Sequence, residues 1–207
     1  MSPKILFVLE NFFPAHRAGT ETYVLNLAKG LIEKGWQVSV AIASIGKDSE
    51  KYEYEGILVY ALSVPAKIGP KEMNGLQPPS NANEFRETLK RVQPEIVHFH
   101  SFSRSFTHYH LKAANESDAK VVFTAHLGGI FCARGDMQKF GMNRCNGKIS
   151  KLTCAACYAS QKHGKIKSYM GALATFLPIK NKRPALNLIP NKIQSMQYLS
   201  KYANCSI

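Results

Sequence analysis

KILFVLENFFPAHRAGTETYVLNLAKGLIEKGWQVSVAIA, residues 4–43, is the stretch that decides the fold. Residues 4–9 are a continuous apolar run, the pattern of a strand covered on both faces. A loop follows from Glu10. Between Thr20 and Lys34, Tyr23, Val24, Leu27, Leu31 and Ile32 recur at helical spacing and form one apolar stripe. Thr20 or its neighbour is placed to cap this helix and Gly35 to end it. Residues 37–43 read as a second strand. Strand, helix and strand with this spacing make a βαβ unit, which implies parallel strands joined by a right-handed crossover.

Working outward, residues 57–61 (ILVYA) form a third strand, 96–100 (IVHFH) a fourth and 120–125 (KVVFTA) a fifth. Helices are expected over 83–92 and 104–115. The Pro/Gly/Asn-rich stretch 63–83 is a long loop of the functional or mobile kind. The βα alternation ends near His126. The expected fold is therefore α/β, a Rossmann-like parallel sheet with helices on both faces. Residues 127–163 differ in kind, with four cysteines and little periodicity, and read as an irregular Cys-rich insertion. Residues 166–177 and 191–202 have helical spacing. Asn204-Cys205-Ser206-Ile207 resembles the start of a further strand, so the chain reads as a fragment.

The 207 residues carry a formal charge of +13, distributed unevenly. Residues 1–136 hold 15 basic and 14 acidic side chains, whereas 137–207 hold 12 basic and none acidic. The 45% hydrophobic content excludes a wholly disordered or collagen-like chain. No apolar run approaches the roughly 18 residues needed to span a bilayer. The opening apolar stretch, ended by Glu10, is too short for a secretory signal. The expected location is the cytosol, where cysteines serve as metal ligands or free thiols more often than as disulfides.

In an open parallel sheet, ligands bind beyond the carboxyl ends of the strands. That rule collects Glu10, Asn11 and the loop to Gly19-Thr20 after strand one. It adds His100 and Ser101 after strand four, and His126 with Leu127-Gly128-Gly129 after strand five. Gly19 precedes a helix whose free N–H groups favour a phosphate or hydroxyl ligand; equally, it serves simply to make the turn. His126 suits hydrogen bonding to sugar hydroxyls or phosphate, or proton transfer. His98 shares a strand face with His100 and reads as a core histidine. His108 and His110 read as surface residues of a helix. The loop has one glycine between Glu10 and Glu21, so no G-x-G-x-x-G is present, and no P-loop motif occurs.

Cys132, Cys145, Cys154 and Cys157 form a C-x12-C-x8-C-x2-C pattern. The final C-x-x-C is a common zinc half-site, because two thiolates at that spacing reach one tetrahedral ion. The first two cysteines could complete a structural zinc site, with His163 as a substitute ligand. Free thiols are the alternative, and an iron–sulfur cluster a weaker one. Cys205 stands apart.

The order of KILFVLENFFPAHRAGTETYVLNLAKGLIEKGWQVSVA, PEIVHFHSF and VVFTAHLGGIFCARGDM resembles the N-terminal half of a GT-B-fold glycosyltransferase of family 4, also called group 1. The cysteine segment looks like that of a subset of this family. The resemblance covers nearly the whole chain. It implies the single acceptor-side domain (1–207) of a retaining enzyme, lacking the C-terminal domain that holds a nucleotide-diphosphate sugar. Such enzymes transfer sugar to polysaccharide or lipid-linked acceptors such as lipopolysaccharide precursors. By the same resemblance, Gly19 matches the glycine loop near the donor phosphates, His126 the histidine that contacts the donor sugar, and His100 a strand-end position on the acceptor side. Ala18-Gly19 stands where the family has two glycines. Leu127 replaces its acidic residue, which argues against proton transfer there.

The domain alone is expected to be inactive, since stabilisation of the leaving diphosphate would come from the other half. A zinc-containing basic module binding nucleic acid is the alternative, and a Rossmann-like sugar epimerase a third reading. If four thiolates hold one zinc, the formal charge falls to about +11. The remaining one-sided basic surface fits an anionic lipid face, a polyprenyl diphosphate acceptor or an acidic partner domain, and implies a peripheral position on the inner membrane face.

Overall fold

The computed structural model describes residues 2–69, 77–126 and 134–161, together with positions 72, 132, 170 and 204–206. In chain order the elements are β1 (Lys4–Val8), α1 (Gly19–Glu33), β2 (Gln37–Ile45), β3 (Glu50–Tyr54), β4 (Ile57–Val64), α2 (Ala82–Val92), β5 (Ile96–His100), α3 (His108–Asn115), β6 (Lys120–Thr124), β7 (Gln138–Lys139), β8 (Asn143–Arg144), α4 (Lys151–Ala159) and β9 (Asn204–Ser206). Seven strands form one sheet in the order β3-β4-β2-β1-β5-β6-β9. Every pairing is parallel except β3–β4.

The apolar run of β1 makes it the central strand. Ile5, Phe7 and Leu9 turn to the side covered by Val24, Leu25 and Ala28 of α1. Leu6 and Val8 turn to the opposite side, with Phe85 and Leu89 of α2 and Leu111 of α3. Helices therefore cover both faces, as the alternation required, and each large apolar side chain so buried contributes about 1.5–3 kcal/mol.

Four expectations need correction. β3 was not anticipated. It is an antiparallel edge strand joined to β4 through Glu55-Gly56, both with positive φ (49° and 76°), the geometry of a two-residue hairpin turn. α1 begins at Gly19 with Ala18 as its N-cap and no side-chain cap, so Thr20 lies within the first turn and does not cap it. α3 starts at His108, not at 104, because Ser103 caps a preceding turn by accepting from the backbone N–H of Phe106. The cysteine segment is not wholly irregular: β7 and β8 pair as a short hairpin, and α4 follows, capped by Ser150. Aliphatic periodicity could not announce α4, because its buried face consists of Ala155, Ala156 and Cys157. The helices expected over 166–177 and 191–202 lie outside the described residues.

Candidate functional site

From β1 the chain passes to β2 and β4 on one side, while β5 and β6 lie on the other. The sheet therefore reverses its winding between β1 and β5. The crevice beyond their carboxyl ends is where such a sheet receives a ligand.

Two strands with period two furnish the floor of that crevice. On β5, Val97 and Phe99 face the α2–α3 core, which turns His98 and His100 to the α1 side beside Phe7. On β6, Val121 and Phe123 enter the same core, so Thr124 and then His126 follow the histidines. The register pairs His98 with Val122 and His100 with Thr124. His98 Nε2 lies 2.8 Å from Thr124 Oγ1, and His100 Nδ1 lies 3.1 Å from His126 Nε2. One nitrogen of the latter pair donates and the other accepts. His100 is 3% exposed and its Nε2 has no hydrogen-bond partner among the described residues, whereas His126 is exposed. Burial, reinforced by the neighbouring His98 and His126, holds the His100 pKa down to about 2. Burial and His126 hold that of His98 down to about 4. At neutral pH both rings are uncharged, and His100 acts as a fixed hydrogen-bonding partner for His126.

The start of the loop after β6 is pinned by Ser101. Its backbone N–H donates to Thr124 O at 3.0 Å, and its Oγ accepts from His126 N at 3.1 Å. Ser101 has φ of +68°, a left-handed conformation that costs a non-glycine residue about 1–3 kcal/mol. At the end of β1, Glu10 Oε1 accepts from Ser105 Oγ at 2.9 Å and lies 3.8 Å from Arg104 Nε. Its Oε2 is buried with no partner among the described residues. This carboxylate ties the end of β1 to the loop after β5 and keeps one acceptor oxygen for another group.

α1 enters the same place. Tyr23 is not part of the buried stripe; Glu21, Val24, Leu25 and Ala28 are. Tyr23 is 48% exposed, with its ring centroid 5.7 Å from both His100 and His126. Sequence reading missed it because an aromatic at helical spacing looks like core. Its place one turn after Gly19 was the available signal. A Cβ added to Gly19 would meet no atom within 4 Å, so the approach to the uncapped α1 N-terminus is open.

The structure thus brings together His100, Ser101 and His126, with Tyr23 of α1, one turn after Gly19 and Thr20, beside them; Glu10, at the end of the neighbouring β1, instead bonds Ser105 of the loop after β5. Asn11 is half-buried and makes no side-chain hydrogen bond to this group among the described residues. Gly128, Leu127 and Gly129 lie outside the described residues. His108 and His110 are buried, against expectation. His110 Nδ1 accepts from Thr107 N at 3.1 Å, so Nε2 carries the proton and donates to Asn81 Oδ1 at 3.0 Å.

The second candidate site is the cysteine segment. Cys132, Cys145, Cys154 and Cys157 are free thiols and all line one cavity of about 190 Å³. Burial pushes the Cys157 thiol pKa up. As placed, the four do not form a closed ligand set. Among the described residues, no three His, Cys, Asp or Glu side chains are gathered to hold a metal ion, so the expected zinc centre is not present ready-made. His163 lies outside the described residues.

A doubly covered parallel sheet with a polar, histidine-lined crevice at its switch point is the architecture of a Rossmann-like ligand-binding domain. The chain belongs to glycosyltransferase family 4: residues 17–146 match Glycosyltransferase Family 4. No curated protein matches it. Nine chains of solved structure do. Among them is the catalytic domain of starch synthase IV from Arabidopsis thaliana bound to ADP and acarbose, at 15% identity and a TM-score of 0.42. That match covers 61% of this chain and 34% of the starch synthase chain, so this protein spans about a third of it. Among the described residues, no helix is long and apolar enough to cross a membrane.

Proposed function

We propose that this chain is the acceptor-side half of a retaining sugar transferase, which works with a second domain carrying a nucleotide-diphosphate sugar. The acceptor class is a polysaccharide or lipid-linked saccharide. The observation that carries this reading is the switch-point cluster: an exposed His126 backed by buried neutral His100, with the exposed ring of Tyr23 against both; at the end of the neighbouring β1, a buried carboxylate oxygen of Glu10 has no partner among the described residues. Hydroxyl-rich ligands need such a mixture of acceptors, donors and an aromatic face. His126 would hydrogen-bond the transferred sugar, Glu10 a sugar hydroxyl, and Gly19 with Thr20 the phosphates near the α1 N-terminus. Asn11, Ser101 and Gly128 would line the same crevice. No group in this constellation neutralises a departing diphosphate, a task that falls to the second domain.

The test has two arms. The 207-residue chain alone, offered nucleotide sugars and saccharide acceptors, is expected to transfer nothing; robust transfer would sink the reading. Calorimetric titration with lipid-linked or soluble oligosaccharide is expected to show binding that weakens about tenfold in Tyr23→Ala and in Glu10→Gln, the loss of roughly one stacking or hydrogen-bonding contact. Affinity unchanged in both variants would remove the crevice as the acceptor site.

A further inference from the structure

We infer that the cysteine segment closes around one soft divalent cation of the zinc class, with Cys132, Cys145, Cys154 and Cys157 as its four ligands. The cation site is distinct from the sugar crevice and independent of the reading given above. Its four thiols come from three separate pieces of chain: the stretch before the β7–β8 hairpin, the end of that hairpin, and α4. All four open into one cavity, and none is in a disulfide.

The local folding serves this convergence. Cys154 and Cys157 stand three residues apart on α4 and therefore share a face. The hairpin returns Cys145 to the same place, with Cys145 N donating to Met137 O at 2.8 Å. Two of the sulfurs already accept backbone N–H groups, Cys157 Sγ from Phe140 at 3.0 Å and Cys154 Sγ from Ser150 at 3.4 Å. Donors so placed stabilise thiolates and orient them, as the outer partners of metal ligands do.

The lining selects the ion. It contains Arg134, Lys139 and Lys148 but no carboxylate, which excludes oxygen-preferring calcium or magnesium. Within the described lining, negative charge would come from the thiolates themselves, since the neighbouring Asp136 carboxylate is already paired to Arg134 at 2.9 Å. The segment also has little else to hold it together: its buried cluster is Ala155 and Ala156, flanked by partly buried side chains such as Phe140 and Leu152. Because the sulfurs are not gathered as placed, binding must draw the hairpin and α4 together, so ligation and local ordering are one event. Four thiols give up their protons to solvent as one dication is bound; no oxidant or reductant takes part.

The experiment uses the full chain, reduced and stripped of metal, titrated with zinc and followed by native mass spectrometry. One ion per chain is expected. Proton release in weak buffer, and at least about tenfold slower reaction of four of the five thiols with a thiol reagent, should accompany it. Cobalt in place of zinc should give sulfur-to-metal charge-transfer absorption, lost in Cys154→Ser with Cys157→Ser. Should that double variant fail to fold, the wild-type mass and reactivity with and without chelator decide alone. An apo mass throughout the zinc titration, with all five thiols equally reactive, would overturn the inference.

Discussion

At the scale of single residues, the site depends on burying imidazoles neutral. His110 shows this outside the crevice. It is fully buried, bonded to Thr107 and Asn81, and its pKa is held down to about 3 by burial, with His108 and Arg86 adding to the effect. The folded value lies below the unfolded value near 6.5, so the unfolded chain takes up the proton first as pH falls. Stability from this group is complete above about pH 6.5 and declines as pH falls towards 3, and His98 and His100 act in the same direction. Urea unfolding at pH 7.5, 6 and 5 should show falling midpoints. His110→Gln should lower the midpoint at pH 7.5, by about 1–3 kcal/mol in stability, and flatten the pH dependence. An unchanged slope would mean that His110 is not buried neutral. His126 and His100 were legible in sequence because strand ends locate a crevice. The burial of His108 and His110 was not, since it comes from the packing of α3 on Phe85 and Phe106, which no local pattern records.

At the scale of elements, the sequence disclosed what had apolar periodicity and hid what did not. β1, β2, β4 and β5 were readable because each is largely buried on both faces, and β6 because Val121 and Phe123 enter the core. β3 was not, because its five residues are polar or partly exposed and its turn, Glu55-Gly56, resembles ordinary loop. α4 was masked by its alanines. Helix ends carry their own strain: Gln93 closes α2 in a left-handed conformation, φ +48°, with its N–H bonded to Leu89 O at 2.8 Å. A side chain there is unfavourable and glycine is not. Gln93→Gly is therefore expected to raise stability by about 0.5–1 kcal/mol, read as a rise of a few degrees in melting temperature. A fall would show that the Gln93 side chain contributes more than its backbone costs.

At the scale of the molecule, charge and topology each have a consequence. The first 136 residues are nearly neutral, and the excess of basic groups lies beyond them. Four of those twelve, Lys139, Arg144, Lys148 and Lys151, lie in the cysteine segment and α4. Sedimentation with anionic vesicles should retain the chain at low salt and release it at high salt, because surface attraction is screened within about 10 Å at 0.1 M. Neutralising the lysines of 162–183 should halve that retention or more; retention unaffected by the change would assign the attraction elsewhere. The topology acts on a different axis, time. β6 is bordered by β9, and Val122 pairs with Asn204, roughly eighty residues later in the chain. During synthesis at about 5–20 residues per second, β6 emerges many seconds before the strand that seals it. Over that interval an unpaired, Val- and Phe-bearing edge faces the surroundings, a template for other nascent chains. Whether this sheet ends in its own fold or in an aggregate thus rests on how soon Asn204–Ser206 reach β6, and changes made in that short strand are expected to lower the yield of soluble protein.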